Sequence, residues 1–234
     1  MSSSLRVSVI QFPGSNRDGD VARALQGATG AAPVFVWHDD RALPEGTDLV
    51  VLPGGFSYGD YLRCGAIAGR ARIMDAVRTH AESGGLVLGI CNGFQILCEA
   101  GLLPGVLVRN AGLRFICRMQ HLRVETNATR FTHTYTPKQI VKVAIAHGEG
   151  NYVTDREGLA ELQRSGQIAF RYCDASGGVG GAGNPNGSTD DIAGIYNKKF
   201  NVLGLMPHLE NLIDPLVGGA DGRHMFISLA ASPV

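Results

Sequence analysis

The chain has 234 residues, of which 44% are hydrophobic and 18% charged, a composition typical of an ordinary globular protein and not of a disordered one. Its 21 Lys and Arg residues balance 21 Asp and Glu residues, which argues against a sequence-independent nucleic-acid binder. The five cysteines form no C-x-x-C pair, so neither a disulfide framework nor a zinc site is expected. A reduced, cytoplasmic location without membrane attachment is expected, because neither a signal peptide nor a long apolar run is present.

Short apolar segments alternate with helical segments in the first half of the chain. Strands are predicted at residues 5–12, 33–37, 48–52 and 86–90, and helices at 17–28 and 92–100. Strands that are apolar throughout and alternate with helices predict a parallel sheet covered by helices on both faces.

The second half is richer in Thr and in β-branched residues. Strands are predicted within residues 112–130 and 131–148, and at 168–173, 191–197 and 202–206. Thr154 and Glu157 match a capping box, which predicts a helix to about residue 165, and a closing helix is predicted at 224–231. Since the sequence shows neither a repeat nor a clear linker, we expect one α/β domain over residues 1–234, with a mixed sheet.

The segment Gly89-Ile90-Cys91-Asn92-Gly93 closes an apolar strand and precedes a helix. This G-x-Cys-x-G pattern predicts a nucleophile elbow, in which the cysteine occupies a sharp, strained turn. The start of the helix favours the thiolate form of Cys91, and the N–H of Asn92 is placed to serve an oxyanion hole. A buried structural cysteine is the alternative, and this is what we predict for Cys98, two helical turns further on.

A cysteine nucleophile in acyl transfer needs a base and a group that orients it. Two histidines occur in an H-x-E frame, His147 before Glu149 and His208 before Glu210. In an extended chain residues i and i+2 lie on the same face, so either pair could present an imidazole backed by a carboxylate. His208 is favoured because it follows a strand that Pro207 ends, but the residues alone leave His147 open.

Two glycine-rich segments have different interpretations. Pro53-Gly54-Gly55 follows a strand, and such a turn lets a backbone N–H point into a cleft as a second oxyanion donor, although a plain turn is the simpler reading. Residues 178–183 fit G-x-G-x-x-G, but Asn184-Pro185-Asn186-Gly187 follows instead of a helix. We therefore expect a loop or hairpin there and not a dinucleotide site.

Six motifs in a fixed order carry a family resemblance. They are Pro13-Gly14-Ser15-Asn16, Pro53-Gly54-Gly55-Phe56-Ser57-Tyr58-Gly59-Asp60, Gly89-Ile90-Cys91-Asn92-Gly93-Phe94-Gln95, His147-Gly148-Glu149-Gly150, Asn184-Pro185-Asn186-Gly187-Ser188 and Gly204-Leu205-Met206-Pro207-His208. The series resembles class I (triad) glutamine amidotransferases. Within that class it resembles the glutaminase subunits of phosphoribosylformylglycinamidine synthase, an enzyme of de novo purine synthesis.

The resemblance implies a flavodoxin-like α/β fold, with a mostly parallel central sheet, helices on both faces and an added antiparallel segment. It further implies specific roles for six residues: Cys91, His208 and Glu210 as a catalytic triad, Gly55 and Asn92 as oxyanion donors, and Gln95 as a substrate-binding residue. His147 and Glu149 belong to a family motif but receive no chemical step. The chain departs from the usual His-Pro-Glu-Arg ending, since Leu209 and Asn211 stand in place of Pro and Arg.

The resemblance also implies a substrate and partners. The substrate is L-glutamine, and the released ammonia passes to a larger ATP-dependent synthetase subunit that converts formylglycinamide ribonucleotide to its amidine, with a small accessory subunit also expected. No cofactor or metal is expected in this chain, which has no G-x-x-x-x-G-K-[ST] loop, so ATP and Mg belong to the partner. The alternatives are a stand-alone cysteine hydrolase or peptidase on the same fold, and a catalytically silent regulatory subunit.

Overall fold

A nine-stranded sheet organises residues 5–231, the part of the chain that the computed structural model describes. Within this range the strands, in chain order, are β1 (Val7–Gln11), β2 (Val34–Trp37), β3 (Leu49–Leu52), β4 (Leu86–Ile90), β5 (Val106–Val108), β6 (Ile116–Val124), β7 (Ile140–His147), β8 (Asn151–Val153), β9 (Ile168–Cys173), β10 (Ile192–Tyr196) and β11 (Val202–Leu205). The α-helices are α1 (Asp18–Thr29), α2 (Ile73–Glu82), α3 (Asn92–Glu99), α4 (Arg156–Arg164) and α5 (Arg223–Ala230). Strands β5 and β8 pair with each other outside the large sheet.

The large sheet has a parallel half and an antiparallel half. Its strand order is β2-β1-β3-β4-β11-β10-β9-β6-β7, in which β2 to β11 run parallel and the remaining neighbours pair antiparallel. Strand β4 lies between β3 and β11, with Leu88 opposite Val51 on one side and Leu203 on the other. Because parallel strands end at one edge of the sheet, the residues after β4 and β11 lie side by side.

The predicted α/β fold with a mixed sheet is confirmed. The strand predicted at residues 86–90 has the observed bounds of β4, because each of its residues packs in the interior or at its margin. Residues 178–183 lie in the loop between β9 and β10, as expected, with only a short 3-10 turn at Gly181–Gly183. No helix among the described residues is long and apolar enough to cross a membrane.

Several local features differ from the sequence predictions, among them the short strands β5 and β8, which were not predicted. Helix α2 was not predicted, because no side chain caps its start, although its buried Ile73, Met74, Val77 and Ala81 follow helical spacing. The capping box was placed one residue too early. Asp155, and not Thr154, is the N-cap of α4, since its carboxylate accepts a hydrogen bond of 2.7 Å from the N–H of Gly158.

Helix α3 lies so close to β3 that only glycine fits at its second position. A Cβ atom on Gly93 would stand 1.9 Å from the carbonyl oxygen of Leu52. Helix α3 also contacts β4 and β11, so this approach joins the helix to the centre of the parallel half. The sequence pattern that identified the elbow is therefore a packing requirement as well.

We expect Gly93→Ala to lower the free energy of unfolding by about 3 kcal/mol, because the new methyl group forces α3 away from β3. Urea denaturation followed by circular dichroism measures this. Gly27→Ala is the matched control, since a Cβ on Gly27 in α1 would meet nothing within 4 Å. That variant should keep its stability or gain about 1 kcal/mol. Equal stability of the two variants would contradict the packing argument.

Candidate active site

Cys91 occupies the turn between β4 and α3 in a strained backbone conformation. Its φ of 51° and ψ of −106° lie outside the regions that non-glycine residues ordinarily adopt. Surrounding hydrogen bonds maintain this conformation: the Cys91 N–H donates to Leu205 at 2.8 Å, and its carbonyl accepts from Phe94 and Gln95. Such strain costs about 1–3 kcal/mol and persists where the fold over-determines it, which is typical of a nucleophile elbow.

His208 and Glu210 form a buried pair beside Cys91. The Nδ1 atom of His208 lies 2.6 Å from Oε1 of Glu210, and both side chains are almost fully buried. The backbone N–H of His208 donates to Ala144 in β7 at 2.9 Å, and Sγ of Cys91 lies 3.9 Å from the carbonyl oxygen of Ala146. Strand β7 therefore borders both the cysteine and the histidine.

The turn at residues 53–55 completes the surroundings of the imidazole. A Cβ atom on Gly54 would lie 2.9 Å from Cε1 of His208, so this glycine leaves the space that the ring occupies. Gly55 lines a cavity of about 200 Å³ together with Cys91 and Gln95. Residues of three sequence motifs, at 53–60, 89–95 and 147–150, thus line one small cavity.

Charges on both sides of His208 control its protonation. Burial acts to lower the pKa of His208, but the Glu210 carboxylate and the Cys91 sulfur, by charge and by hydrogen bonding, together raise this pKa well above 6.5. The arrangement therefore holds a protonated imidazole between a carboxylate and a sulfur. This is the charge distribution that a cysteine nucleophile with a histidine acid–base partner requires.

The sequence analysis predicts that the backbone N–H groups of Gly55 and Asn92 are oxyanion donors. Neither the N–H of Gly55 nor that of Asn92 donates a hydrogen bond to another residue of the described range 5–231. The side chain of Asn92 is fully used, since Oδ1 accepts from the Ser57 N–H at 3.2 Å and Nδ2 donates to Gln95 at 2.9 Å. Asn92 therefore fixes the 53–60 loop against α3 while its backbone N–H stays available.

Gln95 lines the cavity, but its side chain also bonds within the protein. Its Nε2 donates to the carbonyl oxygen of Glu149 at 2.7 Å, and its Oε1 accepts from Asn92. These contacts connect α3 to residues 147–150. The structure therefore gives Gln95 a positioning role at the cavity wall, and direct contact with substrate stays a prediction.

The cavity contains further residues to which the sequence analysis assigned no role. They are Phe56, Asp60, Cys64, Phe115, Ala146, His147, Gly148 and Glu149. Burial and the nearby Glu149 raise the pKa of Asp60, against a hydrogen bond from Cys64 that lowers it. The motifs around Phe56 and His147 were the available sequence signal, because both segments carry polar groups next to glycines.

Asn184–Ser188, the other specific motif, lies behind the cavity. Nδ2 of Asn186 donates to the carbonyl oxygen of Gly150 at 2.7 Å, and Oγ of Ser188 accepts from the Tyr152 N–H at 3.1 Å. This motif supports the loop at residues 147–150 and does not line the cavity. Among residues 5–231 no group of His, Cys, Asp and Glu side chains could hold a metal ion.

The departures at residues 209 and 211 flank Glu210 in the short 3-10 turn Leu209–Asn211. Leu209 is fully buried, and Asn211 lines a separate cavity of about 720 Å³ between α1, α5 and residues 210–217. This larger cavity does not include Cys91 or His208. The substitutions therefore leave the contact between His208 and Glu210 intact.

A cysteine in a strained strand–helix turn, next to a buried His–Glu pair and two available N–H groups, defines a candidate cysteine-dependent acyl-transfer site on an α/β sheet. The chain belongs to the CobB/CobQ-like glutamine amidotransferase family, whose model matches residues 4–219. This agrees with the resemblance inferred from the six motifs.

Relatives of known identity match the chain over nearly its full length. It is 59% identical over 225 residues to phosphoribosylformylglycinamidine synthase subunit PurQ of Rhodopseudomonas palustris (strain BisB18), covering 96% of this chain and 97% of the relative. It is 53% identical over 228 residues to the subunit of that name from Gloeobacter violaceus, covering 97% and 98%. These relatives confirm the predicted resemblance to this subunit and do not favour a stand-alone hydrolase or a silent subunit.

Solved structures agree. A chain in the structure of PurLQS from Thermotoga maritima superposes with a TM-score of 0.85 at 40% identity, covering 97% of this chain and 98% of that one. The glutaminase domain of Trypanosoma brucei CTPS with bound acivicin superposes with a TM-score of 0.61 at 14% identity, covering 97% and 94%, which shows a shared fold.

We expect the His208–Glu210 pair to make stability depend on pH. The pKa of His208 is raised in the folded chain, so its contribution is complete below about pH 6.5 and is lost as the pH rises through the folded value. In Glu210→Gln the carboxylate charge is gone, and the fall in stability above pH 6.5 should be shallower than in the unmodified chain.

Urea denaturation at intervals from pH 6 to pH 9 measures the two slopes. The loss in the unmodified chain should be about 1.4 kcal/mol for each unit by which folding raises the pKa of His208. Glu157→Gln, at an exposed position in α4, is the control and should keep the original slope. Parallel curves for Glu210→Gln and the unmodified chain would show that the pair carries no such charge coupling.

Proposed function

We propose that this chain is the glutaminase subunit of a phosphoribosylformylglycinamidine synthase, which releases ammonia from L-glutamine for a synthetase partner. The observation that carries the proposal is the contact of His208 with Glu210 beside the strained Cys91, in a chain that matches PurQ subunits over nearly their full length. We assign the glutamine to the cavity of about 200 Å³ that Cys91 lines.

Cys91 is the nucleophile in this proposal. Its thiolate attacks the side-chain amide carbon of glutamine, and a C–S bond forms while the carbonyl oxygen becomes an oxyanion. The N–H groups of Gly55 and Asn92 donate to that oxyanion, which is consistent with their having no acceptor among the described residues. Each such donor typically contributes about 10²–10³ in rate.

His208 transfers the protons. The imidazolium gives its proton to the amide nitrogen, the C–N bond breaks, and ammonia leaves a glutamyl thioester on Cys91. The neutral imidazole then removes a proton from water, whose oxygen attacks the thioester carbon; the C–S bond breaks, and glutamate and the thiolate result. Glu210 orients the ring and stabilises its charge through the 2.6 Å contact at Nδ1.

Gln95 forms part of the wall of the proposed glutamine site. Its bonds to Asn92 and to the Glu149 carbonyl fix α3 relative to the loop at residues 147–150. In this proposal Gly148, Glu149 and the side of Gln95 that lines the cavity bind the amino-acid end of glutamine. Gln95 is thus a substrate-binding residue that also positions the site.

Released ammonia is useful only where a second active site consumes it. We assign that role to a larger synthetase subunit, which uses ATP and Mg to convert formylglycinamide ribonucleotide to its amidine, together with a small accessory subunit. This chain needs no cofactor of its own for the hydrolysis. Because the pathway supplies nucleotide synthesis, we place the assembly in the cytoplasm.

We expect Cys91→Ala to lower glutaminase turnover by about 10³-fold or more while the fold is retained, because the nucleophile is removed. Labelling with 6-diazo-5-oxo-norleucine, followed by peptide mass spectrometry, should give one adduct on Cys91. Cys64 provides an internal control in the same cavity, since burial and the nearby Glu149 and Asp60 raise the pKa of its thiol and disfavour the thiolate. An adduct on Cys64, or full turnover by Cys91→Ala, would overturn the assignment.

We also expect the isolated chain to have low glutaminase activity that rises about 10²-fold on assembly with the synthetase subunit. The reason is that Gly55 belongs to a loop whose outer residues, Tyr61 and Leu62, are 76% and 90% exposed, so that contact with a partner can adjust one oxyanion donor. Glutamate production with and without the partner measures the rise. Equal turnover in both states would contradict this gating.

A matched pair of surface variants tests where the partner acts. Leu62→Ser should reduce the activation by the synthetase subunit without changing the basal rate. Leu216→Ser removes an equally exposed leucine, at 93%, from a segment that does not line the cavity, and should leave activation unchanged.

A further inference from the structure

His147 lines the same cavity as Cys91, yet the proposed reaction gives it no part. It is the last residue of β7, and its side chain is 3% exposed. The neighbouring residue, Ala146, contacts the Cys91 sulfur through its carbonyl oxygen at 3.9 Å. The His147 ring is therefore buried one residue along the chain from the carbonyl that contacts the Cys91 sulfur.

The hydrogen bonds of Asn110 determine which nitrogen of this ring carries a proton. Nδ2 of Asn110 donates to the carbonyl oxygens of Arg114 at 2.8 Å and His147 at 2.9 Å, so this end of the amide is the nitrogen. Oδ1 accepts from the Gly150 N–H at 3.0 Å and lies 3.1 Å from Nδ1 of His147. An oxygen that only accepts requires a proton on Nδ1, which leaves Nε2 with its lone pair in the neutral ring.

The ring stays neutral at physiological pH. Burial, with repulsion from the charged His208, lowers the pKa of His147 to about 4. Nε2 is buried and has no hydrogen-bond partner among residues 5–231. A buried acceptor without a hydrogen bond is unfavourable, so a ligand that donates an N–H group to Nε2 stabilises it.

We propose that His147 is a specificity-determining residue whose Nε2 accepts a hydrogen bond from the carboxamide nitrogen of glutamine. The inference rests on the proposed function and deepens it. The carboxamide has two N–H donors, whereas the carboxylate of the product glutamate presents only lone pairs at the same position. His147 therefore favours glutamine over glutamate and promotes release of the product.

The same hydrogen bond orients the leaving nitrogen. With one N–H of the leaving nitrogen directed at Nε2 of His147, the lone pair of that nitrogen is free to face His208. The charge of His208 acts on His147 as well, because it lowers the pKa of that ring. No covalent bond to His147 forms or breaks, and the proton on its Nδ1 stays hydrogen-bonded to Oδ1 of Asn110. The departing ammonia carries two hydrogens from the carboxamide and one from His208.

The test compares two substrates in the assembled complex with the synthetase subunit. L-glutamine offers the N–H donors, whereas the γ-methyl ester of L-glutamate forms the same thioester on Cys91 without any N–H at that position. In His147→Phe, which keeps a buried ring, kcat/KM for glutamine should fall about tenfold or more, and kcat/KM for the ester should be unchanged. Inhibition by glutamate should become stronger.

His121→Phe is the control, because His121 lies in β6 outside the cavity, and both substrates should react normally. Equal losses on glutamine and ester would assign His147 a structural role and overturn the inference, as would no loss on either. Failure of the unmodified complex to hydrolyse both substrates would instead contradict the proposed function.

A second measurement does not depend on the folding of His147→Phe. In Cys91→Ala labelled with ¹⁵N-histidine, the Nε2 resonance of His147 should be that of an unprotonated nitrogen, and it should shift when glutamine binds but not when glutamate binds. A protonated Nε2, or an Nε2 resonance that glutamine does not move, would overturn the inference.

Discussion

The close packing of α3 against β3 is the constraint on which the rest of the site depends. With no side chain at Gly93, the helix approaches the Leu52 carbonyl to a distance that any Cβ atom would prevent. This approach forces the chain to turn sharply at Cys91 and places that residue in a backbone conformation that costs free energy. The same turn directs the first N–H groups of α3 towards the cysteine, so strain and electrostatic support have one origin.

Around this turn, amide side chains determine the shape of the cavity. Asn92 and Gln95 on α3 bind the 53–60 loop and the 147–150 loop, while Asn110 and Asn186 hold the second loop from behind. All four act mainly through backbone groups of the loops. Because buried backbone groups are expensive to leave unpaired, this network fixes the loops without adding charge next to the nucleophile.

The charges that are present are distributed unequally between the two histidines. His208 lies between Glu210 and Cys91, which together raise its pKa, whereas His147 faces the uncharged Asn110 and is kept neutral by burial and by repulsion from His208. One imidazole is therefore suited to donate and recover protons, whereas the other keeps a proton on Nδ1 and an unprotonated Nε2. Two rings of the same chemistry therefore acquire different protonation states from their surroundings.

Local sequence patterns were enough to predict the alternation of strands and helices in the first half and the elbow at Cys91. These follow from local causes, since burial of β4 on both sides requires a continuous apolar run and the sharp turn requires glycines. Local patterns were less informative where no side chain signals a boundary, as at the uncapped start of α2. The sequence identified the family through motifs spread along the chain, but the residue spacing could not choose between two identical H-x-E frames.

The tertiary structure distinguishes the two frames and places residues of three motifs around one cavity. His208 lies 2.6 Å from Glu210, while His147 turns to Asn110, and Glu149 instead lies 3.7 Å from Arg109. The reason is that residues i and i+2 meet only if the chain between them bends suitably, and here a short 3-10 turn at Leu209–Asn211 provides that bend. The protonation of each histidine and its hydrogen-bond partner depend on burial and on charges distant in sequence, which a linear pattern does not contain.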